Sequence, residues 1–268
     1  MISGATGRSF VFEGLLMIGR LGLLAVTVLS LAAAPIAASA GVFGANLIVN
    51  GDAEAAPGAT SDASTVATPG FTVIGDFTPV AYNTPGGFPV TGDAGVSAGG
   101  ANFFAGGPSN GGSSASQVID LSSGASFIDT GASAFSLSAY LGGYSGQGDN
   151  AVLRISFLDG LNGLLNQVSL GPVTNADRDY VTGLLFRSTD GFVPIGARSV
   201  NVDLLMTRLD GSYNDGYADN LSLVLTGGAG GAPEPSTWAM MLLGFGGLGA
   251  AFRRRRALCT GYSAIRSD

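Results

Sequence analysis

Between residues 41 and 226 the chain breaks into short stretches in which apolar and polar residues alternate. In "VLRISFL", Leu153, Ile155 and Phe157 fall on one side, and Val152, Arg154 and Ser156 on the other. In "SVNVDLLM", Val200, Val202, Leu204 and Met206 share a side, with Asn201 and Asp203 opposite. "FSLSAYL" and "DNLSLVL" behave the same way. A period of two is the signature of an extended chain with one face buried. "NLIV", "FTVI", "PVAY", "ANFFA", "SQVIDL", "NQVSL" and "YVTGLLFR" are shorter candidates of the same kind. Clusters of Gly, Asn, Asp, Pro and Ser separate them, as turns require. About ten short strands and no helical period in this region predict an all-β body, an antiparallel two-sheet β-sandwich around one core. Residues Ala55–Thr68 and Gly106–Ala115 are small and polar and read as loops. Phe103 and Phe104 are adjacent, so one is expected in the core and the other partly exposed. No internal repeat suggests a propeller or solenoid.

Composition narrows the chemistry. A hydrophobic share of 46% rules out simple disorder, and 44 glycines among 268 residues fit a turn-rich β protein. Histidine and lysine are absent, and the one cysteine is Cys259. Ser-His-Asp and Cys-His triads, Ser-Lys pairs, Schiff bases and His-ligated zinc are therefore excluded, and no disulfide is expected. The remaining catalytic route, a carboxylate pair as in glycoside hydrolysis, has only Glu54 and several aspartates to draw on. Asp177 and Asp179 sit in "TNADRDY", which reads as a turn, so no enzyme is expected. Residues 41–232 hold sixteen acidic residues against five arginines, a net charge of −11. Such a surface repels nucleic acid and suits a cation or a neutral polymer.

Both ends carry other signals. Arg20, the apolar run Leu21–Ala34, the break at Pro35 and the small residues Ala38, Ser39 and Ala40 read as a secretory signal, a helix removed before Gly41. Met17 would start a more compact version. Near the other end, Trp238 to Phe252 are uncharged and mostly apolar, ~22 Å long as a helix. Counted from Pro235 the helix reaches ~27 Å, close to the ~30 Å hydrocarbon core, so one short transmembrane helix is expected. Trp238 suits the outer interface, and Arg253, Arg254, Arg255 and Arg256 form a stop-transfer cluster on the cytoplasmic side.

The stretch "PEPSTWAMMLLGFGGLGAAFRRRR" resembles the bacterial PEP-CTERM sorting signal, in the variant with Trp-Ala after Pro-Glu-Pro. Tails of this kind also go by the name of the C-terminal segment of ice-binding proteins, which says nothing of the body. The resemblance implies a Gram-negative host and recognition of Pro233, Glu234, Pro235, Trp238 and Ala239 by an exosortase. The body would be exported across the cytoplasmic membrane, held there, then delivered to the cell surface or the exopolysaccharide matrix. The expected organisation is a signal peptide (1–40), a sandwich (41–226), a Gly/Ala linker (227–232), the sorting segment (233–256) and a cytoplasmic tail (257–268).

Two body segments, "NLIVNGDAEA" and "GSYNDGYADNLSLVL", are similar to the opening and closing strands of galactose-binding-like jelly rolls found in carbohydrate-binding modules. There a structural calcium often ties the two strands together. The resemblance implies Asp52, Glu54 and Asp219 as ligands, with Asp215 added by proximity; Ala53 departs from the pattern, where an aromatic is usual. Calcium takes six to eight oxygens, which carboxylates and turn carbonyls supply. Asn-Gly-Asp and Asn-Asp-Gly are equally ordinary turn sequences. For a glycan, "YLGGYSGQGDN" offers Tyr140 and Tyr144 as platforms and Gln147, Asp149 and Asn150 as hydrogen-bonding groups; the same tyrosines could simply cap the core. Tyr82, Tyr180 and Tyr213 are further aromatic candidates. Three classes follow: a polysaccharide-binding surface protein, a structural biofilm or adhesion component without a ligand site, and, from the tail's name alone, an ice-binding protein.

Overall fold

The computed structural model describes residues 41–227. The expected signal helix, the rest of the linker, the sorting segment with its transmembrane helix and Arg253–Arg256, and the final tail lie outside the described residues. Among the described residues no helix is long and apolar enough to cross a membrane.

Ten strands form: β1 (Thr72–Ile74), β2 (Thr78–Ala81), β3 (Asn102–Pro108), β4 (Gly112–Asp120), β5 (Ala134–Gly143), β6 (Asn150–Leu158), β7 (Leu164–Leu170), β8 (Gly183–Phe192), β9 (Ser199–Thr207) and β10 (Tyr213–Thr226). They make two five-stranded antiparallel sheets. The back sheet has the order β1-β4-β9-β6-β7 and the front sheet β2-β3-β10-β5-β8. The chain changes sheet at nearly every connection, the winding of a jelly roll. One short helix, Ala125–Ile128, breaks the β pattern between β4 and β5.

The alternation read from the sequence is the alternation that packs. Leu153, Ile155 and Phe157 of β6 and Val200, Val202, Leu204 and Met206 of β9 are buried against Phe135, Leu137, Ala139 and Leu141 of β5 and Leu221, Leu223 and Leu225 of β10. Each such side chain contributes about 1.5–3 kcal/mol on burial. On the opposite face of the back sheet, Arg154 of β6 meets Asp203 of β9 at 3.2 Å, directly across the ladder.

Three expectations need correction. Gly106–Ala115 is not a long loop: β3 runs into it and β4 begins inside it, leaving only three residues between them. Small side chains suit this place because β4 lies between β1 and β9 with one face turned to the core. Ser113 donates to the Gly106 carbonyl at 2.7 Å, and Ala115 is fully buried. A side chain at Gly107 would overlap the Asp76 carbonyl, and its φ of 92° lies in the left-handed region.

"NLIV", in turn, forms no strand. It runs beside the second half of β10 with isolated bridges only, Phe43 to Leu225 and Asn46 to Val224. The Asn46 side chain stands in for backbone, accepting from Leu223 N and donating to the Leu221 carbonyl, both at 2.9 Å. The first and last segments of the body are thus joined, though not as paired strands. Phe103 and Phe104, finally, are both fully buried. Phe104 points between the sheets and Phe103 points the other way, into a second apolar cluster on the outer face of the front sheet.

Candidate functional site

That second cluster divides the outer face of the front sheet. The segment from Tyr82 to Ala101 folds over β2, β3 and the first half of β10. It buries Tyr82, Phe88 and Val96 against Phe103, Leu184 and Tyr217. The aromatic rings meet edge-on or tilted, with Phe103 and Tyr217 5.1 Å apart and Tyr82 and Phe103 5.0 Å apart.

Two carboxylates are drawn under this cover, each capped by a phenol. Tyr217 donates to Asp215 at 2.6 Å and Tyr82 donates to Asp219 at 2.7 Å. Burial pushes the Asp215 carboxyl up to about 6; its hydrogen bond from Tyr217 opposes the rise and the nearby Asp149 adds to it. Burial pushes Asp219 up to about 7, against the hydrogen bonds from Tyr82 and Asn220 and with added repulsion from Glu54 and Asp52. The Tyr82 and Tyr217 phenols are raised in turn, first by burial and then by the charge of their aspartates.

The cover reaches the start of β8, where Ala94 bridges Gly183 and accepts from Leu184 N; the rest of β5 and β8 and the second half of β10 lie beyond it. Ladder register aligns their outward side chains in rows. Tyr140 and Phe186 form one row, which ends at the covered Asp219; Ser222, Ser138 and Ser188 form the next; Val224, Ser136 and Asp190 form the third. A bulge between Asp219 and Ser222, with Asn220 at φ 49°, shifts β10 so that residues on both sides of it face outward. Tyr140 and Phe186 lie 5.4 Å apart at 60°, and Phe186 is 53% exposed. Beside Ser222 the face opens into a cleft of about 350 Å³ between β10 and the first segment, bordered by Asn46, Asn50, Asp52 and Asn220. Hydroxyls, amides, one carboxylate on each flank and an aromatic pair along one wall therefore share one open surface.

The predicted site residues separate. Glu54 Oε1 accepts from Ala101 N at 2.6 Å and Asn102 N at 2.8 Å, and Oε2 from Asn102 Nδ2 at 3.2 Å. Asp52 is exposed, and its Oδ1 accepts from Glu54 N at 3.3 Å. Both act electrostatically on Asp219, so these three carboxylates are neighbours. Asp215 belongs with Asp149 and Tyr217 instead. Among the described residues no group of three or more His, Cys, Asp or Glu side chains has metal-site geometry.

Of the expected glycan loop, Tyr140 belongs to β5 and Asn150 opens β6, which leaves Tyr144–Asp149 as the connection. Tyr140 stands at the border of the open face, packed against the covered cluster. Tyr144 covers Gly87, and Asn150 donates to the Gly148 carbonyl. Asp149 is buried, and its oxygens accept from Leu209 N, Asp210 N and Asp215 N at 2.6–2.9 Å. Arg178 Nη2 donates to the Gln147 carbonyl. Of these five residues only Tyr140 joins the row of the open face. Phe186, the exposed partner of Tyr140, is not among the sequence candidates; "YVTGLLFR" alternates in a way that could have placed it outward. Ala53, which departs from the expected jelly-roll pattern, is fully buried in the main core at φ 60°.

Comparison with known proteins adds two findings. Residues 232–256 match the PEP-CTERM protein-sorting motif. Among solved structures, the body is similar to a family 16 carbohydrate-binding module, with 21% identity, 67% of this chain and 99% of that one covered, and a TM-score of 0.37. It is also similar to the CBM22-1 xylan-binding domain of Paenibacillus barcinonensis Xyn10C (14% identity, 65% and 99% covered, TM-score 0.34). A third is the enzymatically active domain of tailspike protein 4 of bacteriophage CBA120 (14% identity, TM-score 0.37); the aligned region is 67% of this chain but spans only 21% of the tailspike. No curated protein matches the chain.

Proposed function

We propose that this chain is an exported surface or matrix protein, sorted by an exosortase through residues 233–256, whose sandwich holds polysaccharide against the uncovered half of its front sheet. The sorting motif supports the first part. The observation that carries the second is the Tyr140–Phe186 pair, set beside rows of serine hydroxyls on a face that the covering segment leaves open. Aromatic rings bury the apolar face of a sugar, while hydroxyls, amides and carboxylates fix its orientation. The Asp52 and Asp190 carboxylates border the surface, so it favours neutral glycans over acidic ones.

Affinity electrophoresis of residues 41–227 through gels containing neutral and acidic polysaccharides tests this reading. Retardation by at least one neutral polysaccharide is expected. Phe186→Ala should weaken it about tenfold, a cost of ~1.4 kcal/mol, and Tyr140→Ala at least as much, with the fold intact by circular dichroism. Uniform mobility in every gel would remove the glycan reading. It would favour the second one, a structural matrix component, for which the serine rows Ser222-Ser138-Ser188 already supply a flat polar face.

Calcium belongs to the same proposal. Asp52, Glu54 and Asp219 would hold it only by moving together and releasing the donors that Glu54 and Asp219 now accept from; that the three meet no arginine among the described ion pairs supports the set. Their repulsion is part of what raises Asp219. When bound, the ion would supply the missing positive charge and tie residues 52–54 to β10. Asp215, in its separate cluster, is left out of the set. Chelation is expected to lower the melting temperature of residues 41–227, and added calcium to restore it. An unchanged melting temperature would sink the metal site and leave the glycan face standing.

A further inference from the structure

We infer that the end of the sandwich from which the chain leaves at Gly227 is a lipid-contacting surface. On this reading it rests against the outer leaflet of the bilayer that holds the sorting segment. The inference depends on the reading of residues 233–256 as a membrane segment.

The geometry starts from the last row of the front sheet, where Thr226 pairs with Ala134 and Ala134 pairs with Phe192. Gly227 follows directly and lies beside the Phe43 ring, which meets Phe127 edge-on at 5.8 Å. Ile195, in the β8–β9 connection, approaches Gly131 of the β4–β5 connection. Across the same end, Arg198 bonds Asp129 at 2.7 Å and lies beside Gly160, which brings up the β6–β7 hairpin and Leu161. Four large apolar side chains stand out of this end: Phe127 at 47% exposure, Phe192 at 72%, Ile195 at 64% and Leu161 at 92%. They come from three separate segments, the β4–β5 connection, the end of β8 with its following loop, and the β6–β7 hairpin, so no single loop's packing accounts for them.

Chain length makes the bilayer the partner. Only eleven Cα–Cα steps, with ten residues between, separate Gly227 from Trp238, where the apolar run begins. Fully extended they reach at most about 40 Å, so a tethered body keeps this end close to the headgroups at high effective concentration. Charge selects the kind of lipid. Arg198 is already paired with Asp129, and Asp159 and Asp190 add only negative charge. Attraction to anionic headgroups is therefore absent, and contact depends on apolar insertion into a zwitterionic surface.

The test uses the full chain reconstituted into phosphatidylcholine–phosphatidylethanolamine vesicles whose acyl chains carry bromine quenchers. The single tryptophan is first removed by Trp238→Phe. Phe127→Trp and Ile195→Trp then report on the proposed surface, and Val118→Trp reports on the outer face of the back sheet. Lipid quenching and a blue shift are expected at 127 and 195 and not at 118, with no increase when phosphatidylglycerol is included. If the chain floats with the vesicles but 127 and 195 remain unquenched, the lipid contact is wrong and the membrane segment stands. If the chain does not float, the membrane segment fails and the inference falls with it. Shielding of 127 and 195 from aqueous quencher without lipid quenching, together with cross-linked dimers, would make this end a contact between copies and overturn the proposal.

Discussion

Replacing Arg178 with alanine is expected to lower the melting temperature of the body by roughly 6–12 °C, the equivalent of about 3 kcal/mol in a domain of this size. Arg178 is 3% exposed and forms no ion pair. Its guanidinium donates instead to the carbonyls of Ser145, Val181 and Gln147. One buried cation therefore joins the β5–β6 connection to the β7–β8 connection. Burial lowers its pKa, which marks the desolvation that those carbonyls offset. Alanine would leave three carbonyls short of a donor and open a void between the loops. Lysine should rescue little, because a single ammonium cannot reproduce the planar fork. Scanning calorimetry of the wild type and both variants checks this; a loss below 2 °C would mean that solvent satisfies the loops. The same variant separates two glycan sites. Binding through Tyr144 and Gln147 should fall with the loops, whereas binding at Tyr140 and Phe186 should survive.

The second large effect is an unusual pH dependence. Most carboxylates in folded proteins have lowered pKa values and stabilise as pH rises, as Asp129 beside Arg198 and Asp120 beside Ser122 do here. Asp215 and Asp219 run the other way, at about 6 and about 7 in the folded protein. Both are protonated in either state below the ordinary carboxylate range. Between about pH 4 and about pH 7 the folded state keeps a proton that the unfolded state has released, so stability falls as pH rises through this window. Asp215 can account for roughly 3 kcal/mol and Asp219 for roughly 4 kcal/mol, given ~1.4 kcal/mol for each tenfold change in proton affinity. In the presence of chelator, the free energy of unfolding should therefore be higher at pH 5 than at pH 8. Asp219→Asn should flatten the curve, since an amide cannot ionise. Denaturant titrations across this range provide the measurement, and stability rising steadily from pH 5 to pH 8 would contradict it. Bound calcium would oppose the trend by favouring the ionised Asp219, so the curves with and without the ion should diverge above pH 6.

Both effects rest on side-chain partners that the sequence does not reveal. Arg178 sits in "TNADRDY", which reads correctly as a turn, yet its partners lie about thirty residues away in the chain. Asp219 was singled out as a metal ligand, and its closeness to Asp52 and Glu54 was expected. Its pairing with Tyr82 was not, because nothing local links positions 137 residues apart. Phe186 was passed over as one of several apolar residues in "YVTGLLFR". Its exposure depends on where the covering segment stops.

Strand content was set locally. Alternation of side chains with period two, bounded by turn residues, needs no partner to be recognised, because it follows from the pleat of a single extended chain. It therefore determined the strands, the two-sheet sandwich and the inward faces of β6 and β9. Absent histidine and lysine likewise determined which chemistries were closed, and "PEPSTWA" with its apolar run and arginines marked the sorting segment. What the alternation cannot specify is which of a sheet's two faces receives a second layer. Phe103 and Phe186 both point away from the main core, on the same side of the same sheet. One is buried and the other open only because residues 82–101 fold across β2, β3 and half of β10 and end there. That packing is decided between segments distant in sequence. The aromatic face, the two phenol-capped aspartates and the apolar end beside Gly227 accordingly emerged only from the tertiary structure.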